Sequence, residues 1–263
     1  MSDSPTRKTD RAGTGLWVVS STMAFFALLL GGFGAMGFFS SGDGETTVGS
    51  TETLKIEVSL TEFKVEPASI DVQPGQKVAD YLPGAGFFTR VFSQAVGPAG
   101  HVYAEFPQFM ADFEKDEVAA IKALAADPHY ANVSFVVTPA GAFEAREPLD
   151  LIWTSQNYHD LQFGLSHEQI LALDRSILAA LKPGGVLLVI DHVAAPGAGW
   201  SVAPKLHRIE PREILADMQA AGFQFEAGSD VLRNAADDHS LSVFDPAIRG
   251  HTDQVVYRFR KPR

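Results

Sequence analysis

The apolar and polar positions of this chain change their rhythm several times, and each rhythm predicts a different kind of structure. From Gly15 to Phe39, "GLWVVSSTMAFFALLLGGFGAMGFF", no charged residue occurs. As a helix that stretch would be about 37 Å long at ~1.5 Å per residue, more than the roughly 30 Å of a bilayer's hydrocarbon. Residues 15–39 are therefore expected to form a transmembrane helix or signal anchor. From Ser40 to Thr53 the chain turns to Ser, Gly, Thr, Asp and Glu, a composition too polar to offset the entropy of ordering, and a flexible linker is expected. Residues 54–77 then alternate apolar and polar, pause at Glu66-Pro67, and resume before Pro74-Gly75, which predicts a short hairpin-like β segment.

Beyond Val78 the period switches repeatedly between two and 3.6. Strands are predicted at 77–82, 101–106, 132–139, 149–156, 185–193 and 254–261, and helices at 86–96, 109–126, 166–183 and 210–222. Ser166 followed by Gln169 reads as a capping box, and Pro183-Gly184-Gly185 stops a helix ahead of the apolar run "VLLVI". This order predicts an α/β domain over 78–263: a Rossmann-like, mostly parallel sheet with helices on both faces.

Charge restricts the partners. A formal charge of −11 and the lack of a basic cluster argue against nucleic acid, whose binding rests on grouped Lys and Arg. With no cysteine anywhere, disulfides, thiolate nucleophiles and Cys-ligated metals are excluded. Arg7, Lys8 and Arg11 precede the apolar stretch while Asp43, Glu45 and Glu52 follow it. The positive-inside rule then places residues 1–14 in the cytoplasm and the bulk of the chain outside, as a single-pass membrane protein. A cleaved signal peptide is the rival, although "GAMGFF" offers a poor cleavage site.

The candidate chemistry begins at "VADYLPGAGFFTRVFS". A strand ending near Asp80, a tight turn carrying Gly84 and Gly86, and a helix starting near Phe87 together aim backbone N–H groups and a helix N-terminus at a ligand. Glu105, closing the next strand about twenty residues on, is where an acid accepts hydrogen bonds from ribose hydroxyls. Phe87, Phe88 and Phe92 follow a helical spacing and read as core.

Two resemblances follow from longer stretches. "TEFKVEPASIDVQPGQKV" resembles the opening of cupredoxins, but a blue-copper site needs a Cys this chain lacks, so a copper electron carrier is disfavoured. The abrupt change of character at "PGQKV" raises a chimeric or rearranged gene. "VADYLPGAGFFTRVFSQAVGPAGHVYAEFP", "LDLIWTSQNYHDL", "LAALKPGGVLLVIDHVA", "LHRIEPREILADMQAAGF" and "FDPAIRGHTDQVVYRFRKP" resemble class I S-adenosylmethionine-dependent methyltransferases, and among them a group of bacterial members often carrying export signals. The resemblance implies S-adenosylmethionine as cofactor, with Asp80, Gly84 and Gly86 on its methionine and ribose side, Glu105 at the ribose hydroxyls, and Thr138 to Ala140 near adenine. Leu82 stands where such enzymes usually place their first glycine, and the helix that usually precedes the first strand is missing.

Methyl transfer needs alignment, exclusion of water and, for a weak nucleophile, a base. "NYHDL" follows the strand at 149–156, so His159 is the candidate base and Tyr158 the residue positioning the acceptor, a small molecule or another group that the sequence does not name. Asp191-His192 and His207-Arg208 are candidates to complete that pocket. The same His and Asp residues could be read as metal ligands, but without HxxxH or HxH spacing no metal is expected. S-adenosylmethionine is a cytosolic compound and the charge bias puts the domain outside; a non-catalytic, membrane-tethered binding protein retaining the fold is therefore the second reading.

Overall fold

The computed structural model describes residues 72–263; the expected transmembrane segment, the linker and all but the last residues of the short β segment lie outside them. Among the described residues no helix is long and apolar enough to cross a membrane.

Strands β1 (Lys77–Tyr81), β2 (His101–Pro107), β3 (Val133–Thr138), β4 (Leu149–Ser155), β5 (Leu181–His192), β6 (Gln224–Ser229) and β7 (Gln254–Arg260) form one sheet in the order β3-β2-β1-β4-β5-β7-β6. The first five are parallel to one another, and β7 runs antiparallel between β5 and β6. The chain thus winds outward from β1 in one direction and then restarts at β4 in the other, leaving a crevice above the C-terminal ends of β1 and β4.

The alternation along each strand feeds two apolar layers. Val186, Leu188 and Ile190 of β5 join Val78, Val102, Trp153 and Val256 on one face; Leu187 and Val189 join Ala79, Ile152, Val255 and Phe259 on the other. Helix α1 (Phe87–Val96) packs Phe92 and Val96 onto the first face. Helices α4 (His167–Ala180) and α6 (Pro211–Ala221), with the single turn α5 (Ala203–Leu206) between them in sequence, cover the second with Ile170, Leu173, Ile177, Ile214 and Met218 from α4 and α6. The capping box at Ser166 and Gln169 is formed on both sides.

Three local features depart from the expected pattern. The helix expected over 109–126 is two, α2 (Gln108–Phe113) and α3 (Lys115–Ala126), broken at Glu114, whose ψ of 56° is not helical. The helix expected to reach 183 ends at Ala180, because Leu181 already pairs with Leu149 and Lys182 to Gly185 bulge out before pairing resumes at Val186. Strand β6 escaped the sequence reading: its first three positions are exposed, so no apolar alternation marks it.

A long coil joins β6 to β7 over residues 230–253, and a buried ion pair fastens it. Arg208, wholly buried, donates from Nη1 and Nη2 to the carboxylate of Asp237 at 2.8 and 3.1 Å and from Nε and Nη1 to the carbonyls of Leu241 and Val193. Asp237 also accepts from the amides of His239 and Asp253. Four of the five guanidinium N–H groups and both carboxylate oxygens are engaged, the condition under which buried charges are tolerated.

Candidate active site

The turn after β1 builds one end of a cavity of about 1090 Å³. That is at the upper limit of ordinary ligand pockets, roughly 300–1,000 Å³, and leaves room for two ligands side by side. Leu82 adopts a left-handed backbone (φ 58°), the conformation that suits glycine, and is held there by its amide donating to the Glu105 carbonyl and by Asn157 Nδ2 donating to its own carbonyl. The two glycines do different work. Gly84 (φ 54°) lines the cavity, and a Cβ there would meet nothing within 4 Å, so its bare face is open to a ligand. At Gly86 (φ 84°), the N-cap of α1, a Cβ would lie 2.5 Å from Ile121 Cδ1, so this glycine lets α3 close onto the turn.

Asp80 lines the cavity at the end of β1 and accepts a 2.7 Å hydrogen bond from Thr89 Oγ1. Burial pushes its carboxyl up to about 7, with Thr89 opposing. Glu105 pairs with Tyr81 in the sheet register but lies outside the cavity lining; Phe106 lines it instead. Its carboxyl accepts a long 3.4 Å bond from the Glu144 amide, and burial pushes it up to about 8 against the Glu144 amide and the Thr138 hydroxyl. Thr138 is buried at the end of β3 and is likewise outside the lining. Two carboxyls that the sequence reading passed over take the position in the cavity wall. Glu114, at the break between α2 and α3, is raised to about 8 by burial and by its hydrogen bond with Glu117. Glu117 Oε1 is buried without a hydrogen-bond partner. In sequence both look like ordinary helix-start acids, and only the kink at Glu114 turns them inward.

The opposite end of the cavity is carried by the loops after β4 and β5. His159 follows β4 in a short 3-10 turn and is 1% exposed. Its Nδ1 lies 2.7 Å from Asp191 Oδ1 at the end of β5, and its amide donates to Asp191 Oδ2 at 2.9 Å. Its Nε2 lies 2.9 Å from Asp160 Oδ1, which is 3.0 Å from His207 Nδ1. Burial alone would lower the imidazole's pKa, but the carboxylates of Asp160 and Asp191 outweigh it and hold it up to about 10. Flanked in this way, His159 keeps its proton at neutral pH in the free protein, and Nε2 becomes a donor only where a cation takes that proton's place beside Asp160. Tyr158, its neighbour, points the other way: its hydroxyl donates to Asp174 Oδ2 at 2.8 Å within the α4–α6 side of the core, and it is not in the cavity wall. His192 and His207 line the cavity with His159 and Asp160. Phenylalanines complete this end, Phe109, Phe113, Phe163 and Phe244 among them.

Three of the four left-handed residues other than glycine among the described residues, Leu82, Gln156 and His207, sit in this cavity wall. Each costs roughly 1–2 kcal/mol in a conformation L-residues avoid. Such strain concentrates where geometry is fixed for a ligand.

No protein-family model matches the chain. Over 191 residues it is 30% identical to the ubiquinone/menaquinone biosynthesis C-methyltransferase UbiE of Ectopseudomonas mendocina (strain ymp), a stretch making up 71% of this chain and 63% of that protein. The chain thus spans less than two thirds of the length of this curated relative. Among solved structures it is similar to the [4+2]-cyclase SpnF, with TM-score 0.53 and 17% identity, covering 92% of each chain. It is also similar to a chain of the complex formed by the Haloferax volcanii Trm112 methyltransferase activator, with TM-score 0.53 and 14% identity over 81% of this chain and 95% of that one. A fold shared with a cyclase does not name a reaction. The strand order, the turn after β1 and these similarities establish that the chain has the class I S-adenosylmethionine-dependent methyltransferase fold.

Proposed function

We propose that this protein is an S-adenosylmethionine-dependent methyltransferase, tethered to a membrane by residues 15–39, that methylates an apolar, ring-containing acceptor. The observation that carries the reading is the two-ended cavity, with acids and an open glycine at the β1 turn and a phenylalanine-lined chamber ending in His159, Asp160 and His207. The relative of similar sequence is a C-methyltransferase of quinone biosynthesis, which supports an aromatic acceptor.

The residues present suit the cofactor. The bare face of Gly84 admits a ligand against the backbone, and the unpartnered Oε1 of Glu117 can accept from a hydroxyl or ammonium group. Asp80 and Glu117 would hold the cationic and hydroxyl-bearing parts of S-adenosylmethionine. When bound, this cofactor supplies a sulfonium methyl group, which passes to the acceptor nucleophile as the S–C bond breaks and the nucleophile loses its proton. The cavity's apolar wall excludes water and holds the acceptor in line, a contribution of about 7–11 kcal/mol in well-aligned reactions. Glu114, with its raised pKa and its place in the wall, is the base that this structure offers for that proton.

Calorimetric titration of S-adenosylmethionine into the full-length protein tests the reading. Micromolar binding is expected, weakened about 10- to 100-fold in Asp80→Asn, the equivalent of a charge-assisted hydrogen bond of about 1.5–3 kcal/mol. Raising the pH ionises Asp80 and Glu114, so affinity for the cation should increase between pH 6 and 9. In the free protein the sign is opposite. Both groups have folded-state pKa values above those of an unfolded carboxyl, so the stability carried by their neutral forms is complete below about pH 4, falls as pH rises, and is fully lost by about pH 7 to 8. No binding by protein with an intact thermal transition would eliminate the enzyme and leave a tethered scaffold.

The charge bias around residues 15–39 supports an outward-facing domain. Because the chain has no cysteine, Ser50→Cys provides a single label site. A membrane-impermeant maleimide should modify it in intact cells; protection until lysis would mean the opposite orientation.

A further inference from the structure

We infer that His159, Asp160 and His207 form a binding site for a divalent transition-metal ion, open toward the acceptor chamber. The three candidate donor atoms are mutually close: 2.9 Å from His159 Nε2 to Asp160 Oδ1, 3.0 Å from Asp160 Oδ1 to His207 Nδ1, and 3.4 Å between the two nitrogens. Ligands about 2.0–2.2 Å from a zinc-like ion at tetrahedral to octahedral angles stand roughly 2.9–3.5 Å apart, so the triangle matches one face of a coordination sphere. Two imidazoles and one carboxylate are the donor set of open, three-ligand sites for zinc and non-haem iron.

The surroundings orient the ligands as metal sites require. Asp191, buried beneath His159, faces Nδ1 and also receives the His159 amide, which fixes the ring so that Nε2 points to the triangle. That carboxylate–histidine arrangement is the usual outer support of a metal-bound imidazole. The His207 ring is held between Phe163 and Phe244, with centroids at 5.2 and 4.7 Å, and its own backbone is left-handed. All three residues line the cavity, so the remaining coordination positions face the chamber. The ion would take an oxygen donor such as a phenolic or enolic hydroxyl. That choice of acceptor group rests on the methyl-transfer reading, whereas metal binding does not.

Cobalt(II), titrated into full-length protein stripped with chelator, tests the site through its visible absorption. One equivalent should give the intense bands of a low-symmetry nitrogen and oxygen site, and zinc should bleach them. Removing an outer-sphere partner costs about 10- to 100-fold in affinity, so loss of a ligand in His207→Gln or Asp160→Ala should cost at least about 100-fold. On the unsubstituted protein, cobalt should shift and broaden the imidazole NMR signals of His159 and His207 and leave His101 unchanged. Unaltered imidazole signals at saturating cobalt, or a cobalt affinity that both substitutions leave intact in folded protein, would overturn the metal site and identify the triangle as a proton-bridged network. S-adenosylmethionine titration needs no metal, so methyl transfer stands or falls separately.

Discussion

Asp237→Ala should lower the unfolding free energy by about 3–5 kcal/mol, the cost of stranding the wholly buried Arg208 guanidinium without its counter-charge. The loss exceeds that of an ordinary surface pair, about 0–1 kcal/mol, because water cannot reach the orphaned charge. Arg208→Met should be comparably damaging, since it leaves the Asp237 carboxylate and the carbonyls of Val193 and Leu241 short of donors. The double variant should cost less than the sum of the two, because neither charge is then left alone. Urea melts of the three variants measure this, and simple additivity would show that the pair is not coupled. The consequence reaches the cavity, because the coil that Arg208 fastens carries Val243 and Phe244 into its wall. Ligand binding by the folded fraction should therefore weaken as well.

Gly86→Val should cost about 2–5 kcal/mol. Roughly 1–2 kcal/mol comes from forcing a Cβ-bearing residue to φ 84°, and about 1–3 kcal/mol from pressing that carbon onto Ile121 Cδ1, only 2.5 Å away, and Arg90 Nη1 at 3.3 Å. The strain has no easy release: Ile121 is fully buried in the core, so α3 must move as a unit. Because α3 carries Glu117 and follows directly on Glu114, that movement would disturb the acidic end of the cavity. Gly84→Ala is the control, with open space at its Cβ; it should cost only the backbone strain of about 1–2 kcal/mol. Thermal melts showing the two variants equally stable would remove the packing role assigned to Gly86.

Much of this arrangement is legible along the chain. The switch from period two to 3.6, the capping box at Ser166 and the glycine turn after Asp80 are local signals, each arising from a few neighbouring residues and the backbone they favour. They predicted an alternating α/β domain with a ligand turn after β1, and β6 was missed because its exposed positions carry no such signal. Leu82 was legible as a departure from glycine, yet its left-handed backbone is visible only with the cross-links from Glu105 and Asn157 in place.

The sequence by itself determined the order of elements, the acidic character that disfavours nucleic acid, and the position of the turn, since composition and periodicity act over a few residues at a time. Tertiary structure alone decided which side chains meet. His159, Asp191 and His207 are far apart in sequence and converge because β4 and β5 are neighbours whose C-terminal loops open onto the same crevice. Tyr158, one residue from His159, faces Asp174 instead, and the kink at Glu114 brings Glu114 and Glu117 into the wall that Glu105 does not reach. A side chain's direction is fixed by packing against elements distant in sequence, and no local period encodes it.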